Sequence, residues 1–356
     1  MGITRATVSS LIYDEDMWKT SEGDLLEDPV PPKACFIFLE DRDLYKQKYT
    51  EGDRRKILAP FNVPGYLANQ VCTDINGYCG CRSSFDANDV LVDLSVWFRC
   101  LTKVVLRPEE HDAPDGKRYW WVLCVGTPPV LRQQLKTALD ESPSLELRDP
   151  FAMMLPLFDQ IIKLYDDSAW RVRDQVRAIE KNRASHAADF VAMHDISRHA
   201  GHLVEVHAAT VETMESLLHR QRAIHDGLSS LDKTHKEQSQ EYLEFQLQII
   251  KSLQRRSLSI QERINSEITL AYNIMATQDN TVMKSIALLT VTFLPATFIS
   301  ALFSTTFFSF AEESWNVSKK FWIYWAVAIP STLFVLVVWW LGLGGTCLRN
   351  RWLGPS

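Results

Sequence analysis

Two long uncharged segments near the C-terminal end constrain this chain more than any other feature. Ser285 to Phe310 runs for 26 residues without a charge, and Phe321 to Leu348 for 28. At about 1.5 Å per helical residue, each exceeds the roughly 30 Å hydrocarbon core of a bilayer, so both are predicted to span it with some tilt. The ten residues from Ala311 to Lys320 that join them enforce a hairpin with both termini on one side of the membrane. Trp315, Trp322, Tyr324, Trp325, Trp339, Trp340 and Trp352 supply interfacial aromatics. The glycines from Gly342 to Gly345 are expected to end the second span early.

The remainder reads as water-soluble. Mean hydropathy of −0.12 averages a polar majority with the apolar hairpin. Residues 1–150 carry 24 acidic against 18 basic residues and therefore the whole net charge of −6. An acidic domain disfavours nucleic acid as a partner and suits the handling of cations. Seven scattered cysteines in a chain of this length read as reduced thiols. Cys72, Cys79 and Cys81 lack the paired spacing of structural zinc sites. Asp14, Glu15 and Asp16 argue against a transit peptide, and Ala6 stands where myristoylation wants a hydroxyl, so neither leader nor anchor is expected. Cysteine chemistry and the absence of a signal peptide favour the cytosol for the large domain, because the lysines and arginines flanking the spans orient them only weakly.

Pro32 to Glu40, Asp89 to Leu106 and Arg118 to Gly126 are predicted to hold strands, the middle one more than one, and Val130 to Glu141 a helix with Leu131, Leu135, Ala138 and Leu139 on one face. The first domain is thus mixed α and β, with its boundary in the proline-bearing stretch from Ser142 to Pro150. From Leu157 to Leu294 there is no proline, and the only glycines, Gly201 and Gly227, are predicted to mark helix turns. The domain scheme is an acidic α/β part over 1–150, a helical stalk over 151–284, spans over 285–310 and 321–343, a short loop over 311–320 and a tail over 344–356.

Within the first span, Asn280, Met283, Ala287, Thr290, Leu294, Thr297, Ala301 and Ser304 recur at alternating spacings of three and four and share one helical face. Most are small or hydroxylated, whereas Ile286, Leu289, Phe293 and Phe298 fall elsewhere. Such a stripe either packs closely or meets water. Two spans cannot enclose a pore alone, so a conducting stripe requires several copies around an axis. His199, His202 and Glu205 share a helix face, but a solvated helix surface explains them as well as a metal site does. His194, His199, His202 and His207 follow one helical stretch far in sequence from either span, which disfavours a histidine-box enzyme. No phosphate loop, nucleophile elbow or dinucleotide fingerprint occurs, so no enzymatic activity is expected. The sequon Asn316-Val317-Ser318 lies too close to the second span for modification to be expected.

Phe293-Leu294-Pro295-Ala296-Thr297-Phe298-Ile299-Ser300-Ala301-Leu302-Phe303, the acidic linker with Glu312 and Glu313, the second span and the basic tail with Arg349 and Arg351 resemble the CorA superfamily of divalent-cation transporters. Leu147-Arg148-Asp149-Pro150-Phe151 and Ala169-Trp170-Arg171-Val172-Arg173-Asp174 resemble its fungal CorA-like branch. The resemblance implies a CorA-like fold: an α+β cytoplasmic domain, long stalk helices and a two-helix transmembrane hairpin, assembled as a homopentamer around the first span. It implies an integral membrane protein with both termini cytoplasmic and a divalent cation of the Mg2+ or Zn2+ class as transported or regulatory ion, without a further cofactor. Asn280, Met283 and Thr297 resemble pore positions, Leu294 a hydrophobic constriction, and Glu312 and Glu313 a cation-attracting loop. The family's Gly-Met-Asn signature is replaced by Ser304-Thr305-Thr306, so selectivity for magnesium does not carry over. The alternative is a membrane-anchored interaction or signalling protein that keeps the fold without transport.

Overall fold

The computed structural model describes residues 7–24, 34–39, 49–61, 63–68, 78–85, 87, 91–99, 103–110, 118–142, 145–183, 189–311, 314–317, 319 and 321–352. They form two compact units, Met1–Ile268 and Thr269–Ser356.

The first unit is built on a seven-stranded sheet, with β1 (Thr7–Asp14), β2 (Met17–Asp24), β3 (Ala34–Leu39), β4 (Tyr78–Phe85), β5 (Leu91–Arg99), β6 (Lys103–Glu110) and β7 (Arg118–Val125) in the order β2-β1-β3-β7-β6-β5-β4. All neighbours are antiparallel except β3 and β7, which run parallel at the centre. The period of two sorts their side chains cleanly. Phe36, Phe38, Trp120, Val122 and Cys124 enter the larger core, while Leu39, Leu123 and Val125 join Ile57, Leu58 and Phe61 in a smaller one. The smaller core is closed by α1 (Glu51–Leu58), whose start is fixed by a reciprocal capping box between Thr50 and Asp53.

The larger core is closed by helices. After α2 (Pro129–Glu141) come α3 (Met154–Lys181), α4 (Phe190–Gly227) and α5 (Lys233–Phe307). Phe158 of α3 stacks on Phe98 of β5 with ring centroids 5.5 Å apart. Specific pairs define the helix directions. As the α4 partner rises from Ser197 through His207 to Gln221, its α5 partner falls from Asn265 through Ser257 to Ser239, so these helices are antiparallel. From Asp159 through Asp166 to Glu180 on α3, the α5 partners rise from Gln246 through Arg256 to Arg263, so α3 and α5 are parallel.

The predicted strands and the helix after Pro128 occur as β3, β5 with β6, β7 and α2. Sequence reading missed β1, β2 and β4. The β1–β2 turn uses Glu15 and Asp16 at φ of 47° and 61°, a left-handed pair usually signalled by Asn or Gly. Gly227 ends α4 as predicted, but Gly201 sits inside that helix, where a Cβ would lie 3.4 Å from the Gln261 amide nitrogen of α5. The turn it was expected to mark falls instead between Lys181 and Phe190, where Asp189 caps the new helix through the Ala192 N–H. The stretch from Ser142 to Pro150 is a joint between α2 and α3, and the sheet and the helices share one core across it.

In the second unit α5 continues to Phe307. The chain then forms a small hairpin of β8 (Phe308–Ala311) and β9 (Ser314–Val317) before α6 (Trp322–Trp352). Half of the linker expected as a loop, Ala311 and Ser314–Val317, is therefore β-paired, and α6 runs on through Gly342 to Gly345. Glycine weakens a helix by only about 1 kcal/mol relative to alanine, so it does not by itself force an end.

Gly80 faces Trp97 across β4 and β5, and a Cβ there would lie 2.3 Å from the indole nitrogen. Gly80→Ala is expected to destabilise the protein by about 1–3 kcal/mol through overpacking. Trp97→Leu should remove most of that penalty, a non-additivity that thermal unfolding of the four variants in detergent will read.

Candidate permeation path and its polar supports

The predicted stripe lies on one uninterrupted helix. α5 has 75 residues, which corresponds to about 110 Å, and contains Pro295 without breaking. Asn280, Met283, Ala287, Thr290, Leu294, Thr297 and Ala301 are all exposed in the single chain. So are Ile286, Leu289, Phe293 and Phe298 on its other faces. Among the described apolar side chains of the second unit only Ile299 and Ala328 are buried. Both candidate spans, the apolar windows within Lys233–Ala301 and Trp322–Trp339, have mean hydropathy 1.8 and bury 6% of their residues, which is not how the core helix of a soluble protein behaves.

The stripe hydroxyls turn back onto their own helix. Thr290 Oγ1 donates to Ile286 O at 2.9 Å, and Thr297 Oγ1 lies 3.0 Å from Phe293 O and 2.9 Å from Leu294 O. With its hydrogen committed, each hydroxyl presents only acceptor lone pairs outward, the polarity that a cation or its hydration water needs. Thr292, off the stripe, makes the same bond to Leu288 O at 2.7 Å, and Thr137 and Thr213 make it in the first unit, so the bond is general to helical hydroxyls and the spacing alone is particular to the stripe. Pro295 lacks an N–H, which leaves the Val291 carbonyl without its usual helix donor.

Ser304, Thr305 and Thr306 form the last turn of α5, which ends at Phe307. The final carbonyls of a helix have no intrahelical donor and carry its negative partial charge, so the backbone here favours a cation whatever the side chains are. Glu312 and Glu313 lie outside the described residues.

The histidines divide by burial. Among the described residues no three His, Cys, Asp or Glu side chains converge as a metal would require. Cys79 and Cys81 lie on β4 with their thiols pushed up by burial, and Cys72 lies outside the described residues. His207 is fully buried, with Nδ1 2.7 Å from Ser257 Oγ. Ser257 spends its own hydrogen on Leu253 O at 3.0 Å, so His207 must donate from Nδ1 and is neutral with Nε2 bare. Burial pulls its pKa down to about 4.

The residue that sequence reasoning placed only in a motif turns out to be a hub. Asp149, in the joint before α3, is fully buried and takes four hydrogen bonds. The donors are His225 Nε2 at the end of α4 (2.9 Å), His235 Nε2 at the start of α5 (3.0 Å), Ser239 Oγ (3.1 Å) and the Phe151 N–H (2.9 Å). The two imidazoles address different oxygens, a hydrogen-bonded rather than a metal-centred arrangement. Burial opposes ionisation, but the donors, His225 first, hold the carboxyl below its ordinary range. Beside it Arg148 forks onto Glu146 and reaches Ser230 O in the α4–α5 turn. The starting point of the long helix is thereby tied to the sheet unit. Ala169 to Asp174, the other motif, contributes a surface Trp170 with the Arg173 guanidinium 3.8 Å from its ring centroid.

The model of the CorA-like Mg2+ transporter protein family matches residues 126–342, more than half of the chain. The chain belongs to this family. A full-length CmaX protein has the same fold at TM-score 0.59 and 14% identity, with 99% of each chain covered. The complete CorA magnesium transporter from Methanocaldococcus jannaschii follows at TM-score 0.53 and 11% identity, covering 95% of this chain and 98% of that one. Notoamide biosynthesis cluster protein M' from Aspergillus versicolor is 31% identical over 238 residues. That region is 56% of this chain and 51% of the relative, so the chain spans about half the length of the curated relative it matches. The CorA-like fold, with an α+β N-terminal region, long helices and a C-terminal apolar helix, thus agrees between sequence, structure and comparison.

Two outcomes follow for the polar supports. Asp149→Ala strands two buried side-chain donors, His225 and Ser239, and frees the partly exposed His235, and is expected to cost about 3–5 kcal/mol, read as a lowered midpoint of thermal unfolding in detergent. For His207 the folded pKa is depressed, so the unfolded chain binds the extra proton between pH 6.5 and about 4. Stability is fully present above that window and is lost as pH falls through it. His207→Leu should gain on the parent by up to about 3 kcal/mol on going from pH 7 to pH 4, in chemical denaturation at each pH.

Proposed function

We propose that the chain is a membrane channel or transporter for divalent cations of the Mg2+ or Zn2+ class, conducting through a homo-oligomer, as a pentamer, along the α5 face from Asn280 to Ser304. The observation that carries this reading is the continuous α5 stripe on a chain of this family: a 75-residue helix whose stripe residues from Asn280 to Ala301 are exposed in the single chain. The spans are 285–310 and 321–343, with both termini in the cytoplasm. Several copies around an axis turn the stripe inward and the Ile286, Leu289 and Phe293 faces toward neighbours or lipid. Leu294 forms the narrow apolar girdle, Thr290 and Thr297 the acceptor rings, and Glu312 and Glu313 raise the local cation concentration at the far mouth.

The filter position works differently from an amide ring. Thr306 offers a short hydroxyl where the family signature has the longer Asn carbonyl, while the helix end supplies backbone carbonyl dipoles. A divalent cation that keeps its water is held here through that water, and discrimination between Mg2+ and softer ions is weaker than in an Asn ring.

The replaced signature also motivates a second reading, in which the fold anchors an interaction or signalling protein at the membrane without flux. Uptake of magnesium, zinc, nickel and cobalt into liposomes carrying the purified chain separates the two. Transport is expected for at least one ion and is expected to fall at least tenfold in Thr297→Leu with oligomer size unchanged. A well-folded oligomer that passes none of the four ions supports the second reading, and full flux in Thr297→Leu removes the lining assignment.

A further inference from the structure

β4 is an edge strand of the sheet and carries Cys79 and Cys81 on either side of Gly80. Cys79 stands opposite Phe98 of β5 and Cys81 opposite Val96, both buried in the larger core, so the two thiols share the face of the sheet that the helices cover. Gly80 faces the other way, onto Trp97. Both cysteines are free and half-buried. From α4 the Ser216 hydroxyl donates to the Cys79 sulfur, and the Arg220 guanidinium, one turn further on, lies close enough to favour the thiolate at both positions. Burial outweighs that help and pushes both thiols up, so each keeps its proton at neutral pH.

The strand geometry limits what two such thiols can do together. Residues two apart on one strand face stand about 6.6 Å apart, whereas a disulfide wants its Cβ atoms within about 4.5 Å, so oxidation to a disulfide would tear β4 from its ladder. An ion held in line between the sulfurs spans the gap instead. Two metal–thiolate bonds of about 2.3 Å each, as for zinc, set the sulfurs about 4.6 Å apart, which asks each to lean inward by about 1 Å. Most metal sites need three or four side chains, and the described residues bring no such set together. Copper(I) is the exception, a soft cation that prefers thiolates and is satisfied by two of them.

We propose that Cys79 and Cys81 form a two-coordinate site for copper(I), with Arg220 as its charge partner. Two S–H bonds break and two copper–sulfur bonds form; both protons leave to solvent and the copper keeps its oxidation state. Two thiolates and one monovalent cation sum to a single negative charge, which the Arg220 guanidinium offsets. The site belongs to the first unit and is independent of conduction along α5.

The test titrates the reduced full chain in detergent, under argon, with copper(I) held by bicinchoninate as competing chelator. One copper per chain is expected, with two sulfur neighbours and no nitrogen in X-ray absorption and two protons released into weak buffer. Cys79→Ser and Cys81→Ser should each lower the affinity at least tenfold, and Arg220→Gln about tenfold with the stoichiometry kept. The combination of Cys72→Ser, Cys100→Ser and Cys347→Ser should change none of this. The parent chain gives a readout free of substitution, because alkylation of Cys79 and Cys81 by N-ethylmaleimide, mapped by mass spectrometry, should be lost once copper is added. No copper retained against the chelator, undiminished alkylation of the pair, or an affinity unchanged in both cysteine variants overturns the proposal. A copper with three or more sulfur or nitrogen neighbours overturns it equally.

Discussion

A peptide backbone in hydrocarbon has to satisfy its own hydrogen bonds, and the two candidate spans of the second unit meet that requirement. α5 keeps its helix through Pro295, α6 keeps its own through Pro330 and four residues from Gly342 to Gly345, and the segment between them closes into a paired ribbon. The threonines of α5 turn their hydrogens onto the preceding turn, as helical hydroxyls of the first unit also do, and so present oxygen lone pairs outward.

The long helix runs from the first unit into the second, and polar groups in the first unit fix how it is held there. Leu243, Leu247, Ile250, Leu253, Ile260 and Ile264 bury an apolar face, but apolar contact alone has little directional preference. Register comes from pairs that admit one arrangement: Ser257 with His207, Ser239 with Asp149 and Gln221, Arg263 forked on Glu180 at 2.8 and 2.6 Å, and Arg183 on buried Glu267. A slide by one turn strands a buried carboxylate or imidazole, at a cost of several kcal/mol. Asp149 matters most because its donors come from the end of α4 and the start of α5, so one carboxylate fixes where the helix begins.

The family resemblance and the altered signature are compatible when backbone and side chain are considered separately. Hydrophobic span, stripe and helix end depend on period and apolarity, which many sequences satisfy. A filter depends on the reach and dipole of one side chain, and at the proposed filter position hydroxyls of Ser304, Thr305 and Thr306 change both. The fold is therefore retained, while the proposed path and the chemistry at its mouth are questions for flux and not for homology.

Much was legible in the sequence alone. Two uncharged runs of spanning length, the three-and-four spacing of the α5 face, the proline-free helical region and the strands β3 and β7 are local patterns, and their physical causes act within a few residues. Other features were hidden because their cause is distant. β1, β2 and β4 carry weak alternation and an unusual acidic turn, and they exist because the sheet completes them. Gly201 is a packing glycine rather than a stop because α5 lies against it. Asp149 reads as an ordinary loop acid, since its partners His225 and Ser239 stand 76 and 90 residues away. Local period and apolarity set which segments become helices and spans, whereas the pairing of buried polar groups is decided only when the tertiary fold removes the water that would otherwise satisfy them.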